Sequence, residues 1–353
     1  MTRWSKGSRM NKKIAVLGVG AIGSSVGADL TKAGYDVALI DQWPAHVEAM
    51  KASGLRVVMP DEDWHTPVRA YHLCDVCTLN RQFDIVLLAP KSYDTRWMAE
   101  FIKPYLKPDG VLVGVQNGMN EESIVPIVGH PRVMGCAFEL SAEVFTPGLV
   151  QRNTMRDRTW FGLGELHGGI TPRLRELEKI MSCVGRVSVT TNIYGAKWAK
   201  LVNSSMILAP FGMLGLQSWE ATEIPAVFKL CIKLGRETMA VGAALGYTIE
   251  PIFGLSAEEF MGSTDEIVEK LLRTIVIHHG ETARQVRGVV LQDYLKGRYT
   301  ETDYLSGLVV REGKEVNVPT PANEAVTEIN RRIRAGELKP ERANLALVEE
   351  MLR

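Results

Sequence analysis

Lys13-Ile-Ala-Val-Leu-Gly-Val-Gly-Ala-Ile-Gly-Ser-Ser-Val-Gly27, followed by Val37-Ala-Leu-Ile-Asp41, is the stretch on which the reading of this chain turns. Ile14 to Leu17 is an apolar run too short for a buried helix and bounded by glycine, so it predicts a parallel strand. Gly18, Gly20 and Gly23 then supply G-x-G-x-x-G spacing. The first glycine permits a tight turn and the second lets backbone amides approach a pyrophosphate. The third allows the next helix, expected over Ala21 to Ala33 and ended by Gly34, to pack closely on the strand. The N-terminus of that helix, at Ala21 and Ile22, aims unpaired amides and a partial positive charge at phosphate. Asp41 ends a second strand where a carboxylate accepts hydrogen bonds from an adenosine ribose. The same charge repels a 2′-phosphate, and Gln42-Trp43-Pro44 offers no arginine to hold one. The expected cofactor is therefore NAD, with NADP left open because Lys51 or Arg56 could fold back.

Outward from that stretch, 353 residues are more than one core usually holds, and two domains are expected. Lys plus Arg and Asp plus Glu each number 41, and no basic tract is interleaved with aromatics, which argues against nucleic acid as a partner. No apolar run reaches the ~18 residues of a membrane span. Residues 1–10 are polar and basic and read as a disordered extension rather than a secretory signal. Five scattered cysteines fit a reducing cytoplasm better than a disulfide framework. His72 and Cys74-Asp-Val-Cys77 resemble half of a zinc site, but no second pair follows, so no metal is expected.

Short apolar strands alternate with helical segments through the first half: Leu55 to Met59, Asp84 to Pro90, a helix over Thr95 to Leu106, Gly110 to Gly118, and Pro131 to Phe138. This succession implies an α/β fold with an N-terminal Rossmann-type, doubly wound, mostly parallel sheet. Beyond a boundary near 187–194 long helical patterns dominate, including Trp198 to Leu208, Ile224 to Leu245 and Pro321 to Ala335. A dinucleotide-binding domain over 11–190 and an all-helical substrate or dimerisation domain over 191–353 are expected, and the long apolar helices leave room for a homodimer. The pair His278-His279 reads as helix surface or interface.

Four further groups carry chemistry. Ala89-Pro90-Lys91-Ser92 follows a parallel strand, on the carboxyl edge where such sheets bind ligands. Gln116-Asn117-Gly118 ends another strand on that edge. Lys197-Trp-Ala-Lys-Leu-Val-Asn203 opens the helical half, and Leu291-Gln-Asp293 precedes Thr300-Glu-Thr-Asp-Tyr-Leu-Ser-Gly307. On a helix, Asn203 and Ser204 lie three and four residues beyond Lys200, forming one polar face in an apolar run. A half-buried lysine with such neighbours can be desolvated toward the range of a general acid.

In that order, these groups resemble the ketopantoate reductase (2-dehydropantoate 2-reductase) family from Lys12 to about Ile329. The resemblance implies that Lys91 and Asn117 lie along the nicotinamide and that Lys200 is the general acid. It further implies that Asn203 orients the substrate and that Glu301 contacts its hydroxyl or positions the lysine. The chain departs from the family pattern at four places. Val289 stands where a serine is usual, and Leu208-Ala-Pro-Phe-Gly-Met213 replaces Asn-Pro-Leu-Thr-Ala. The step from Trp198 to Asn203 is one residue short, and Asp41 stands near the place of an NADP-binding arginine. With Phe211, Met213 and Trp219 nearby, a bulkier or less acidic ketone is expected. The resulting expectation is an NAD-dependent oxidoreductase interconverting a ketone or 2-oxo acid and a secondary alcohol. NADPH-dependent ketopantoate reduction is the alternative enzyme, and a non-catalytic dinucleotide sensor the alternative of another class.

Overall fold

The computed structural model describes residues 12–221, 223–252, 254–277 and 286–353, with the backbone alone described over 274–277. The expected extension over 1–10 and the pair His278-His279 lie outside the described residues. Two compact units divide the chain: one runs to Gln116 and resumes over Asn120–Ile193, and the other joins Asn117–Met119 to Tyr194–Arg353.

The first unit runs β1 (Lys13–Leu17), α1 (Ala21–Lys32), β2 (Asp36–Asp41), α2 (Pro44–Ser53), β3 (Leu55–Val58), β4 (Asp63–Thr66), β5 (Ala70–His72), β6 (Phe83–Leu88), α3 (Thr95–Ile102), β7 (Leu106–Val115), α4 (Glu121–Val128), β8 (Val133–Glu139), β9 (Ala142–Glu143), β10 (Leu149–Arg152), β11 (Trp160–Glu165), α5 (Pro172–Met181) and β12 (Arg186–Val189). Eight strands form one sheet in the order β12-β11-β8-β7-β6-β1-β2-β5. Its neighbours are parallel except β8 and β11, which run antiparallel. β1 is buried over four of its five residues, as a strand covered on both faces must be. α1 stops where expected: the Tyr35 amide donates to Leu30 O and the Gly34 amide to Thr31 O, with Gly34 at φ 88°. That is the paired closure a left-handed glycine allows.

Two expectations need correction. Leu55 to Met59 forms a strand, but β3 belongs to a second, four-stranded sheet ordered β4-β3-β10-β9 rather than to the parallel sheet. Leu55 and Val57 are buried, Arg56 is exposed and Val58 is half-buried, the pattern of a strand covered mainly on one face. Second, the helix expected to reach Leu106 ends at Ile102, and Leu106 already begins β7. Pro104 within that stretch removes a helical donor, so a short 3₁₀ turn over Lys103–Tyr105 replaces the last helical turn.

A buried charge cluster locks α1 to the second sheet and to the segment before β12. Arg152 and Asp29 are both fully buried, and the Arg152 guanidinium donates to Asp29 Oδ2 at 2.5 Å, Thr159 Oγ1 at 2.8 Å and Val184 O at 2.8 Å. Arg156 reaches the other Asp29 oxygen at 2.6 Å and Cys183 O at 3.0 Å. These bonds tie α1 to β10 and to the segment before β12, and removing either partner would leave an uncompensated buried charge.

The second unit holds α6 (Ile193–Met213, entering it at Tyr194), α7 (Ser218–Ala221), α8 (Pro225–Ala244), α9 (Ala257–Gly262), α10 (Asp265–Ile277), α11 (Val289–Leu295), α12 (Ser306–Glu315), α13 (Pro321–Arg334) and α14 (Asn344–Met351). α6 and α8 form its centre. A Cβ on Gly242 would lie 2.0 Å from Trp198 Nε1, so the missing side chain is what lets the indole lie flat on α8 and donate to Thr238 O at 2.9 Å. Glu237 of α8 accepts the Ala322 and Asn323 amides at 2.8 and 2.9 Å, capping α13 from outside its own chain segment. Burial pushes the Glu237 carboxyl above its ordinary range, against the opposing pull of those two amides.

Candidate active site

β1 and β6 are neighbours from which the strand order runs outward in opposite directions. Their carboxyl ends therefore flank the crevice where open α/β sheets bind ligands. Gly18 follows β1 with φ 89°, and a Cβ there would lie 2.5 Å from Pro90 N, so the loops after β1 and β6 meet backbone to backbone. A Cβ on Gly23 would fall 2.1 Å from Gly18 O, which makes this glycine the condition for α1 to sit against the turn. Gly20 differs from both. Among the described residues, none beyond its chain neighbours lies within 4 Å of its Cβ position, and it caps α1 in an extended conformation. The first amides of α1, beside the half-buried Ala21 and Ile22, therefore border an open cradle. Backbone donors at a helix N-terminus beside open space fit a pyrophosphate group.

At the end of β2 the buried Asp41 carboxylate accepts the Val19 amide at 2.5 Å on one oxygen and the Trp43 amide at 2.7 Å on the other. Each carboxylate oxygen has a second lone pair, so ribose hydroxyls remain acceptable donors. The two cations that could have folded back are committed elsewhere. Lys51 pairs with Asp75 and Glu48 at 3.1 and 3.3 Å, and Arg56 grips Asp63 at 3.0 and 2.6 Å. Gln42 turns its amide to Asp94 Oδ2 at 3.1 Å, adding a carboxylate to this edge rather than a cation.

A polar network that the sequence reading did not identify fixes the loop after β6. Gln116, at the end of β7, donates to Pro90 O at 2.9 Å and to Thr95 Oγ1 at 2.8 Å. Thr95 donates to Asn120 Oδ1 at 3.4 Å, and Asn120 donates to Ser92 Oγ at 3.2 Å. All four side chains are buried, so both flanks of the half-buried Lys91 are pinned. Thr95 and Asn120 carried no spacing signal, because the partners come from three separate chain segments.

The first unit thus holds Gly18, Gly20, Ala21, Ile22, Gly23, Asp41 and Lys91 along one sheet edge. The second holds Asn117, Lys200, Asn203 and Glu301. On α6, Trp198 and Ser205 face α8, Ser205 through Thr238 Oγ1 at 2.9 Å. Helical periodicity puts Lys200, Asn203 and Ser204 on the opposite face. Lys200 is half-buried, Asn203 and Ser204 are buried, and Asn203 Oδ1 and Ser204 Oγ make no hydrogen bond among the described residues. Glu301 is buried at the start of the 3₁₀ turn Thr302–Tyr304, which the Tyr304 amide closes onto Glu301 O at 2.8 Å. Val289 opens α11 as an apolar residue. Phe211 and Met213, by contrast, belong to the hydrophobic core of the helical unit, so packing accounts for their apolar character and the inference of a bulkier, less acidic ketone loses that support. Trp219 is half-buried and donates to Gln217 Oε1 at 3.1 Å. Cys74 and Cys77 are exposed in a 3₁₀ turn, where the Cys77 thiol donates to Cys74 O.

Residues 14–165 match the family model Ketopantoate reductase PanE/ApbA, and residues 192–334 match Ketopantoate reductase PanE/ApbA C terminal. The 2-dehydropantoate 2-reductase of Pyrococcus horikoshii is 28% identical over 320 residues, covering 88% of this chain and 94% of its own. The crystal structure of a PanE/ApbA family ketopantoate reductase from Ralstonia eutropha superposes with a TM-score of 0.76 at 26% identity, over 92% of this chain and 99% of that one. D-mandelate dehydrogenase with NADH and anilino(oxo)acetate shares the fold, with a TM-score of 0.78 at 22% identity over 97% of this chain and 100% of that one. With both family models matched in order across two units of the corresponding kind, the chain belongs to the ketopantoate reductase family and is an oxidoreductase acting on keto or hydroxyl-bearing carbon.

Proposed function

We propose that this chain reduces 2-dehydropantoate, or a 2-oxo acid of the same hydroxylated kind, to the corresponding secondary alcohol. The relatives support this reading over the broader exchange between ketones and secondary alcohols. The observation that carries it is the pair of buried polar atoms, Asn203 Oδ1 and Ser204 Oγ, on the Lys200 face of α6. An apolar ketone would leave both unsatisfied, at a cost of about 1–3 kcal/mol each, whereas a hydroxylated oxo acid offers donors and acceptors to both. When bound, the nicotinamide dinucleotide supplies hydride to the keto carbon. Lys200 gives a proton to the keto oxygen, Asn203 orients the substrate, and Glu301 contacts its hydroxyl or holds the lysine in place. Lys91 and Asn117 border the nicotinamide, and the amides around Gly20 hold the pyrophosphate.

The resemblance implies NADPH as the donor, but the Asp41 edge supports NADH. A 2′-phosphate carries about −1.5 to −2 charges at neutral pH, and it would meet Asp41 and Asp94 with no arginine at Gln42 to offset them. With 2-dehydropantoate as substrate, kcat/KM for NADH should exceed that for NADPH by about tenfold or more in steady-state assays. A preference for NADPH would overturn the Asp41 argument while leaving the reaction intact. Failure to oxidise either dinucleotide with this substrate, alongside turnover of other ketones, would return the reading to the broader class.

A further inference from the structure

His46 lies on α2, is fully buried, and uses both ring nitrogens. Nδ1 faces the Gly148 amide at 3.0 Å, and because that amide can only donate, Nδ1 accepts and carries no proton. The ring proton is then on Nε2, 3.1 Å from Ser24 Oγ, so the imidazole donates to the hydroxyl. Ser24 in turn donates to Val19 O at 3.0 Å. The Trp43 ring stacks on the imidazole at 5.4 Å and 21°, and it fixes the plane in which these bonds point. Every donor in the chain from Gly148 to Val19 therefore has one direction.

The end of this chain matters because Val19 O and the Gly20 amide belong to one planar trans peptide and point opposite ways. Because Ser24 holds the carbonyl from the first turn of α1, the Gly20 N–H points away from Ser24. The preceding peptide is held as well, since the Val19 amide is bound by Asp41. Both peptides flanking Val19 are thus clamped from outside the glycine loop, one by a carboxylate at the end of β2 and one by the hydroxyl that His46 polarises.

We infer that His46 is a positioning residue for dinucleotide binding: acting through Ser24, it holds the Gly20 amide in the orientation that meets the pyrophosphate. This rests on the reading of the Gly20 cradle as a dinucleotide site. The consequence falls on affinity for the pyrophosphate-bearing cofactor rather than on the chemical step.

The test compares Ser24→Ala, His46→Asn and His46→Gln with the parent. NADH and NADPH dissociation constants are measured by fluorescence titration, and KM and kcat in steady state. Asparagine can keep the bond to Gly148 but is too short to reach Ser24, whereas the glutamine amide reaches about as far as Nε2 and restores that link. The expected result is about tenfold weaker dinucleotide binding and a matching rise in KM for Ser24→Ala and His46→Asn. kcat should change less than threefold, and His46→Gln should recover to within about threefold of the parent. Combining Ser24→Ala with His46→Asn should cost no more than either alone, because both cut one chain. Parent-like affinity in Ser24→Ala and His46→Asn would overturn the inference, as would equal losses in His46→Asn and His46→Gln, which would mark a packing role only. If the parent itself binds neither dinucleotide, the cradle reading fails, and this inference falls with it.

Discussion

Replacing Lys200 by alanine should lower turnover at least ~100-fold while leaving the dinucleotide dissociation constant within a few-fold of the parent. A carbonyl reduction places negative charge on oxygen as hydride arrives, and a positioned acid typically contributes 10²–10⁴-fold by supplying the proton there. Lys200 is half-buried on the polar face of α6, while the proposed pyrophosphate cradle at Gly20 belongs to the other unit, so one change separates chemistry from cofactor binding. Single-turnover kinetics at saturating dinucleotide, beside direct titration, would show the split. Parent-level turnover in Lys200→Ala would remove the lysine from the mechanism, and a fall in affinity equal to the fall in rate would recast it as a binding group.

The second large effect sets two glycines of one motif, the cap of α1 and a residue of its first turn, against each other. Gly20→Ala puts its Cβ into open space, so the thermal midpoint should hold within about 2 °C. The methyl occupies the cradle, however, and dinucleotide affinity should fall at least ~30-fold. Gly23→Ala drives its Cβ to 2.1 Å from the Gly18 carbonyl oxygen and 3.3 Å from Val16 Cγ1. Neither α1 nor β1 can yield without breaking core contacts, so the midpoint should drop by several degrees together with binding. Calorimetry and fluorescence titration on both variants test the contrast. Unchanged affinity in Gly20→Ala would mean that no ligand phosphate occupies that space.

Much of this arrangement is legible in the residues because it is local. Gly18, Gly20, Gly23 and the apolar run before them specify a strand, a turn and a helix whatever the rest of the chain does. Lys200, Asn203 and Ser204 share a face by helical period alone. What escapes is pairing at a distance. Leu55-Arg-Val-Val58 reads as a strand, but its parallel partner β10 lies about ninety residues on, and nothing in either segment names the other. His46 sits in a helix whose sequence gives no sign that the turn at Thr146-Pro-Gly148 will bring an amide to it. α5 does carry a local signal: Thr171 before Pro172 marks a capped helix start, and the Leu174 amide donates to the Thr171 hydroxyl at 3.2 Å. α11 spans only seven residues, too few for periodicity to show.

The Arg152–Asp29 lock also bears on how this protein is made. Asp29 emerges early, but its buried cationic partner follows 123 residues later, and that arginine is completed only by Val184 O. At about 5–20 residues per second of synthesis, α1 waits roughly 6–25 s for its counter-charge. During that interval the carboxylate must stay hydrated, which keeps α1 from settling in its final place on the sheet. Ribosome-arrested chains ending near residue 140 should therefore expose α1 to protease, and those long enough for Val184 to have left the exit tunnel should protect it. On this account α1, although it precedes its buried partner by 123 residues, becomes native only after that partner has arrived.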